Sequence, residues 1–282
     1  MQFVRYANLE LKTRAINHRV GSFRYKELGE GTPGTPGNYN LRLVWSETDF
    51  FSPRHMHNFD QVRVQMQGTF NFDADGTMKP GVAAYFPEGT PYGPQTSQQD
   101  TVQLVLQLGG PSGAGYLAEA QRIASVAALA EIGEFRDGKY FAPGKAGTGG
   151  TDAFQAAWEH AQGRKMVYPP MRLQKPLFTN PDSFDWVAVP GSSGAECKQL
   201  WRFGVHAVGL DMVHMDAGGT ISIPGPVSCF VEHGAGVVRG AADNPASAEY
   251  ADYDTAHAAT GETLTWTATT ASRLIVFVHP TF

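Results

Sequence analysis

The segment Gln61 to Gln67 reads QVRVQMQ, polar and apolar by strict turns. An extended chain sends alternate side chains to opposite faces, whereas a helix would scatter these residues around its circumference. The run is therefore a strand with one apolar face and one face carrying Gln61, Arg63, Gln65 and Gln67. Thr101 to Leu108 (TVQLVLQL) alternates in the same way and presents Gln103 and Gln107. In a chain with only 17% charged residues, that much buried polarity is costly unless the polar face meets water or a polar ligand. If the alternation extends back through the preceding turn, His55 and His57 join the same face.

Further short strands are read at Leu41 to Glu47 and Val82 to Phe86. Turn signals lie between them, including the loop Gly31 to Gly37 (GTPGTPG) and the turn Asp73 to Gly76. Short strands at this spacing predict an all-β sandwich or barrel. The middle of the chain changes character. Tyr116 to Glu131 reads as one or two helices, and Pro143 to Thr151 (PGKAGTGGT) as a flexible linker. Asp152 to Gln162 reads as a short helix with Asp152 as N-cap, Gln155 completing a capping box and Gly163 as C-cap. Phe154 and Trp158 share one face of it. The last third returns to strands at Val205–Asp211, Thr220–Ile223, Val227–His233, Gly236–Arg239, Glu262–Thr267 and Arg273–His279, with Ala241 to Thr260 as a long loop.

Two hundred and eighty-two residues suffice for two domains with sizeable cores. The net charge is −5 with no basic stripe, which excludes a nucleic-acid footprint. No stretch of about 18 apolar residues is present, so no membrane-spanning helix is expected. The mixed, charged start shows no secretory signal, and two cysteines, Cys197 and Cys229, suit a reduced compartment. The expected location is cytoplasmic. Nucleophile elbows, phosphate loops and HExxH helices are absent; the Gly-rich run Gly109 to Gly115 lacks the Lys-Ser/Thr of a phosphate loop.

The chemistry sits in Pro53 to Gly68, where His55-x-His57 is followed by Gln61 and Gly68, and in Gly81 to Tyr92, where Pro87-x-Gly89 precedes Tyr92. These two segments resemble the first and second motifs of the cupin superfamily. The resemblance implies an all-β chain of two antiparallel cupin (jelly-roll) barrels joined by a short helical connector. The expected division is 1–115 for an N-terminal barrel with the site, 116–168 for the connector and linker, and 169–282 for a C-terminal barrel without metal ligands. It also implies a divalent transition metal (Fe, Mn, Ni or Zn) or, in a degenerate member, none. Carried over position by position, the ligands would be His55, His57 and Gln61, with Tyr92 at the place of a motif histidine. Two of the four depart from the pattern, since Gln61 is a neutral amide and Tyr92 a phenol. That leaves Gln61 as a ligand or a lumen polar group, and Tyr92 as a ligand, a pocket wall or an acid.

Shifting by 166 residues lays Gly68 on Gly234 and exposes a silent copy. Gln61 then falls on Val227, Arg63 on Cys229 and Gln65 on Val231, while His55 and His57 fall on Ile221 and Ile223. A second barrel built on these residues cannot hold a metal there. His206, His214, His233 and His279 show no ligand spacing and are read as structural or surface residues.

Three functions follow. The first is a metal-dependent, dioxygenase- or isomerase-like enzyme for a small oxygenated acid, keto or aromatic. His55, His57 and Gln61 would hold the metal, His57 and Tyr92 would be catalytic, and Arg63, Gln65 and Gln103 would bind substrate. The second is a metal-free isomerase or epimerase using a His/Tyr acid–base pair. The third is a non-enzymatic binding cupin. The partner expected is a small molecule, with no nucleic acid and no membrane, and the resemblance implies a homodimer.

Overall fold

In the computed structural model, the described residues are 1–15, 22–48, 50–110, 112, 116–144, 149–203, 207–240 and 246–281. The alternating run forms the strand Asp60–Gln67, flanked by Ala83–Phe86 and Thr101–Leu108. Beyond Thr101–Leu108 the sheet continues through Tyr39–Ser46 and Ser22–Glu30 to Lys12–Ala15. A small sheet of Phe51–Ser52, Gln95–Thr96, Phe70–Asn71 and Thr77–Met78 closes the other side of this barrel. Every pairing in both sheets is antiparallel.

The C-terminal part repeats the plan. Val227–His233 lies between Thr255–Ala258 and Ser272–Val278, as Asp60–Gln67 lies between its two neighbours. The long strand Val208–Pro224 pairs first with Ser193–Phe203 and Ser272–Val278, and at its end with Thr263–Ala268, so it runs through both halves of the second barrel. The register expected from Gly68 and Gly234 agrees with this pairing. Gln61 and Arg63 sit opposite Phe86 and Ala84, and Val227 and Cys229 sit opposite Ala258 and Ala256. Both glycines have positive φ, and a Cβ would press on Asp100 O at 2.5 Å in one case and on the Ser272 side chain in the other.

The apolar faces of the two large sheets pack against each other. Val62, Val64, Leu104 and Leu106 from the first meet Leu210, Phe230, Ile275 and Phe277 from the second in one buried core. Alternation thus fixes both sides of Asp60–Gln67: odd residues face the lumen and even residues face the other barrel.

Two strands cross the expected boundaries at 115 and 168. Gln2–Val4 pairs with Thr255–Ala258 at the edge of the second barrel's sheet, and Leu177–Thr179 pairs with Ala83–Phe86 at the edge of the first. Each half therefore lends its leading strand to the other.

Several local expectations need correction. Ala241–Thr260 is not one loop, because Ser247–Tyr250 and Thr255–Ala258 are paired strands within it; residues 241–245 lie outside the described set. Val208–Asp211 of the first of these expected strands and all of Thr220–Ile223 belong to the single strand Val208–Pro224, and 204–206, with His206, lie outside the described residues. Of the linker 143–151, residues 145–148 lie outside them too, as do 111 and 113–115 of the Gly-rich run. A three-stranded sheet of Glu134–Arg136, Lys139–Phe141 and Thr151–Asp152 was not foreseen from the sequence. The helices are α1, Glu119–Ala130, and α2, Ala153–Gln162. Asp152 caps α2 by accepting from Gln155 N at 3.0 Å, and Gly163 ends it in the left-handed conformation. The Gln155 side chain closes no capping box; it donates to Glu159 instead. His257 and His279, together with Ser228, lie buried where the two barrels meet. Ser228 Oγ stands 2.7 Å from His257 Nδ1 and from His279 Nε2, and His257 Nε2 is 2.9 Å from the Leu28 carbonyl.

Candidate active site

A cavity of about 730 Å³ opens into the first barrel. Its floor is the polar face of three adjacent strands. Across them, Asn40, Gln107 and Gln61 form one row, Arg42, Val105 and Arg63 the next, and Val44, Gln103 and Gln65 a third. Gln61, Arg63, Gln103 and Gln107 line the cavity, so the expected polar face and its neighbours from Thr101–Leu108 are there. Gln65 is turned aside. Its amide accepts from Gln103 Nε2 at 2.8 Å and donates to Gln67 O at 2.7 Å, and it is not among the lining residues.

Arg63 is the centre of the arrangement. It is 8% exposed, and its guanidinium packs over Phe86, 4.8 Å from the ring centre. Nε and Nη2 both donate to Gln61 Oε1, at 3.0 and 2.9 Å. Nη2 also donates to the Tyr92 hydroxyl at 3.3 Å, and Nη1 donates to Gln95 Oε1 at 2.8 Å. Every acceptor is neutral, and among the described residues no carboxylate lies within 4 Å of this cation. Burial pulls the guanidinium below its ordinary value, and the Tyr92 oxygen opposes that. The group remains a cation even so. Four of its five N–H donors are met by these contacts, which leaves one on Nη1 for a ligand.

His55 stands beside this group. Its Nδ1 lies 2.7 Å from the Pro53 carbonyl, which requires the proton to be on Nδ1 and leaves Nε2 as the acceptor. Gln95 Nε2 sits 3.4 Å from that Nε2, and because Gln95 Oε1 accepts from Arg63, its amide nitrogen must be the end facing His55. The backbone of His55 is held by a two-way bridge to Tyr92, at 3.1 and 2.9 Å. His57 also lines the cavity. Its ring stacks on Phe59 at 4.4 Å and meets Phe154 of α2 edge-on. The connector is thus more than a joint: α1, α2 and the segments around them form the outer wall of the cavity, through Tyr116, Arg122, Val126 and Phe154.

The sequence-derived residues divide as follows. His55, His57, Gln61, Arg63 and Gln103 come together at one cavity. Tyr92 does not line it. It is 1% exposed, sits among Phe72 and Phe86, and receives Gln61 Nε2 at 3.3 Å besides Arg63. It therefore holds the guanidinium from behind. Gln95 and Arg42 were missed. Gln95 lies in a two-residue strand with no periodicity to mark it. Arg42 sits in the LRLVWSE strand, where the polar–apolar alternation that would have flagged it was read only as strand character.

The donors do not fit a divalent metal. A metal at the expected ligands would need the lone pairs of Gln61 Oε1, and these accept two N–H bonds from a guanidinium. The ion would also stand beside the Arg63 cation, which among the described residues has no carboxylate within 4 Å to offset it. Among the described residues no three His, Cys, Asp or Glu side chains come together as a metal site. No helix among them is long and apolar enough to cross a membrane.

The fold is shared with known proteins at low sequence identity. Streptomyces albus HEPD, with its substrate 2-hydroxyethylphosphonate and Fe(II) bound, superposes with a TM-score of 0.61 at 14% identity, over 99% of this chain and 76% of that one. A deletion mutant of Bacillus subtilis oxalate decarboxylase gives 0.57 at 10%, over 99% and 76%. The formate complex of Lactobacillus farciminis oxalate decarboxylase gives 0.56 at 11%, over 99% and 86%. No protein-family model matches the chain, and no curated protein sequence matches it. The architecture is a cupin fold of two antiparallel jelly-roll barrels with a helical connector, as the motifs implied.

Proposed function

We propose that the first barrel binds a small oxygenated carboxylic acid without a metal and moves a proton on it, as an isomerase does. The observation that carries this reading is the buried Arg63 guanidinium, tied only to neutral acceptors and facing a cavity. An isolated buried charge is expensive, and an anion entering the cavity would neutralise it. A carboxylate or keto oxygen would take the remaining Nη1 donor. His55 Nε2, poised by the Pro53 carbonyl, would remove the proton from the adjacent carbon and return it elsewhere. Negative charge would then gather on the oxygen held by Arg63, whose place is fixed in advance by Gln61, Gln95 and Tyr92. His57 and the wall of α2 would exclude water.

The expectation of a metal rests on the cupin resemblance and on the Fe(II) in the Streptomyces albus protein, and in this chain only the paired histidines support it. The test separates the two. Protein purified without a tag is analysed for metal, and 2-oxo and 2-hydroxy acids are followed by NMR in deuterated water, with and without chelator. Under the proposed reading, deuterium enters beside the carboxylate in a chelator-insensitive way. His55→Ala lowers the rate by about 10²- to 10⁴-fold while binding persists, and Arg63→Met loses binding. Stoichiometric metal lost in both His55→Ala and His57→Ala, with turnover abolished by chelator, overturns the reading in favour of a metalloenzyme.

A further inference from the structure

The cavity floor holds a second buried cation that the proposed chemistry does not use. Arg42 and Arg63 lie in one row, each paired directly with Val105 on the strand between them. Two inter-strand steps put their Cα atoms about 10 Å apart. Both side chains line the cavity, and Val105 forms an apolar strip between them. Arg42 is 4% exposed and stacks on Tyr25 at 4.5 Å. Its Nε and Nη2 are buried and have no hydrogen-bond partner among the described residues. Glu27 stands 3.7 Å from Nη2, beyond hydrogen-bond distance, and Glu119 and Glu30 add their charges from farther off. Glu27 is also engaged elsewhere, accepting from Asn40 at 3.0 Å and standing 3.9 Å from Lys12.

We infer that the ligand of this barrel is a dianion: a short acid with its reacting end at Arg63, an apolar middle over Val105, and a second anionic group, carboxylate or phosphoryl, at Arg42. The inference rests on the proposed binding of an acid at Arg63. Partnerless guanidinium donors in a cavity wall are costly alone and are strong, directional donors to an oxyanion. Charge at both ends also sets a length filter, since the two arginines stand in fixed register on a sheet.

Isothermal titration of the full chain with succinate, glutarate and adipate, each beside its matching monocarboxylate, tests this, with 4-phosphonobutyrate as the phosphoryl arm. One diacid length is expected to bind about tenfold or more tighter than its monoacid, and the tighter of the carboxylate and phosphonate arms identifies the second group. Arg42→Met is expected to erase that ratio and leave the monoacid unchanged. Glu27→Gln is expected to tighten the diacid, because it frees Arg42 from its distant counter-ion. A purely structural Arg42 gives no such gain, so the pair remains informative even if Arg42→Met folds poorly. A diacid-to-monoacid ratio near one in the wild type, or a ratio unmoved in Arg42→Met and Glu27→Gln, overturns the inference while leaving acid binding at Arg63 standing. Absence of any binding by monoacid and diacid alike overturns both.

Discussion

The strands Asp60–Gln67 and Val227–His233 occupy the same place in their sheets, each central and each flanked by one short and one long neighbour. Their lumen residues differ in kind. Gln61 and Arg63 face a cavity, whereas Val227, Cys229 and Val231 are buried in a core with Leu264, Trp266 and Val276. One barrel is hollow and polar, the other solid and apolar, on one backbone plan. The backbone of a jelly roll thus leaves its interior undetermined, and the odd positions of one strand decide whether it holds a ligand or a core. The cavity lies in one barrel, and the other packs its apolar sheet against the first.

Grafting the polar row onto the solid barrel is the harshest way to break this comparison. Cys229 has no exposure, and burial pushes its thiol well above the usual range, as befits an inert core residue. Cys229→Arg would put a large, uncompensated cation among Ala256, Val276 and Trp266, where no water can reach it. A loss of about 3–5 kcal/mol or failure to fold is expected, read by thermal or denaturant unfolding. A variant that kept wild-type stability would mean the second lumen is not solid.

Acid probes the seam between the barrels rather than either lumen. His257 and His279 are buried there, and desolvation depresses them to about 4 and about 3. Unfolding releases them to ordinary values near 6.5, so between about pH 6.5 and 4 the unfolded chain binds protons that the folded one does not. Their contribution is fully present above pH 6.5 and is lost on acidification. His257 alone would cost about 2 kcal/mol by pH 5. Denaturant titrations at pH 7 and pH 5 check this, with His279→Phe expected to flatten the slope. Equal stability at both pH values would show that the seam admits water.

The contrast between the barrels could be read in the chain because it is written at period two. QVRVQMQ against VSCFVEH, set in register by Gly68 and Gly234, distinguishes the two interiors before any coordinates. Period two also gave the strands and the cavity floor. The exchange of Gln2–Val4 and Leu177–Thr179 was invisible, since edge pairing between distant short segments leaves no local pattern. Gln95 was invisible for the same reason. The motif position of Tyr92 was recognised, but its hydrogen bond with Arg63 was not. A motif fixes where the residue stands on the backbone, whereas the guanidinium that donates to the Tyr92 hydroxyl comes from the strand Asp60–Gln67. The connector read as a joint because its helical signals describe its own packing and not the mouth it covers.

The gentlest perturbation runs the graft in reverse and sharpens the comparison most. Gln61→Val, Arg63→Cys and Gln65→Val together would write the solid barrel's row into the hollow one. In a closed core, removing Arg63 and Gln65 would orphan Gln95, Gln103 and Tyr92 and cost about 1–3 kcal/mol for each. Here a cavity of about 730 Å³ adjoins that row, so water can replace the lost partners of Gln95 and Gln103. Removal of an unneutralised buried cation offsets much of the remainder. The triple variant is therefore expected to unfold within about 1 kcal/mol of the wild type while its affinity for carboxylic acids disappears. A large loss of stability would instead mean that the polar row holds the barrel together, and that its residues are there for folding rather than for a ligand.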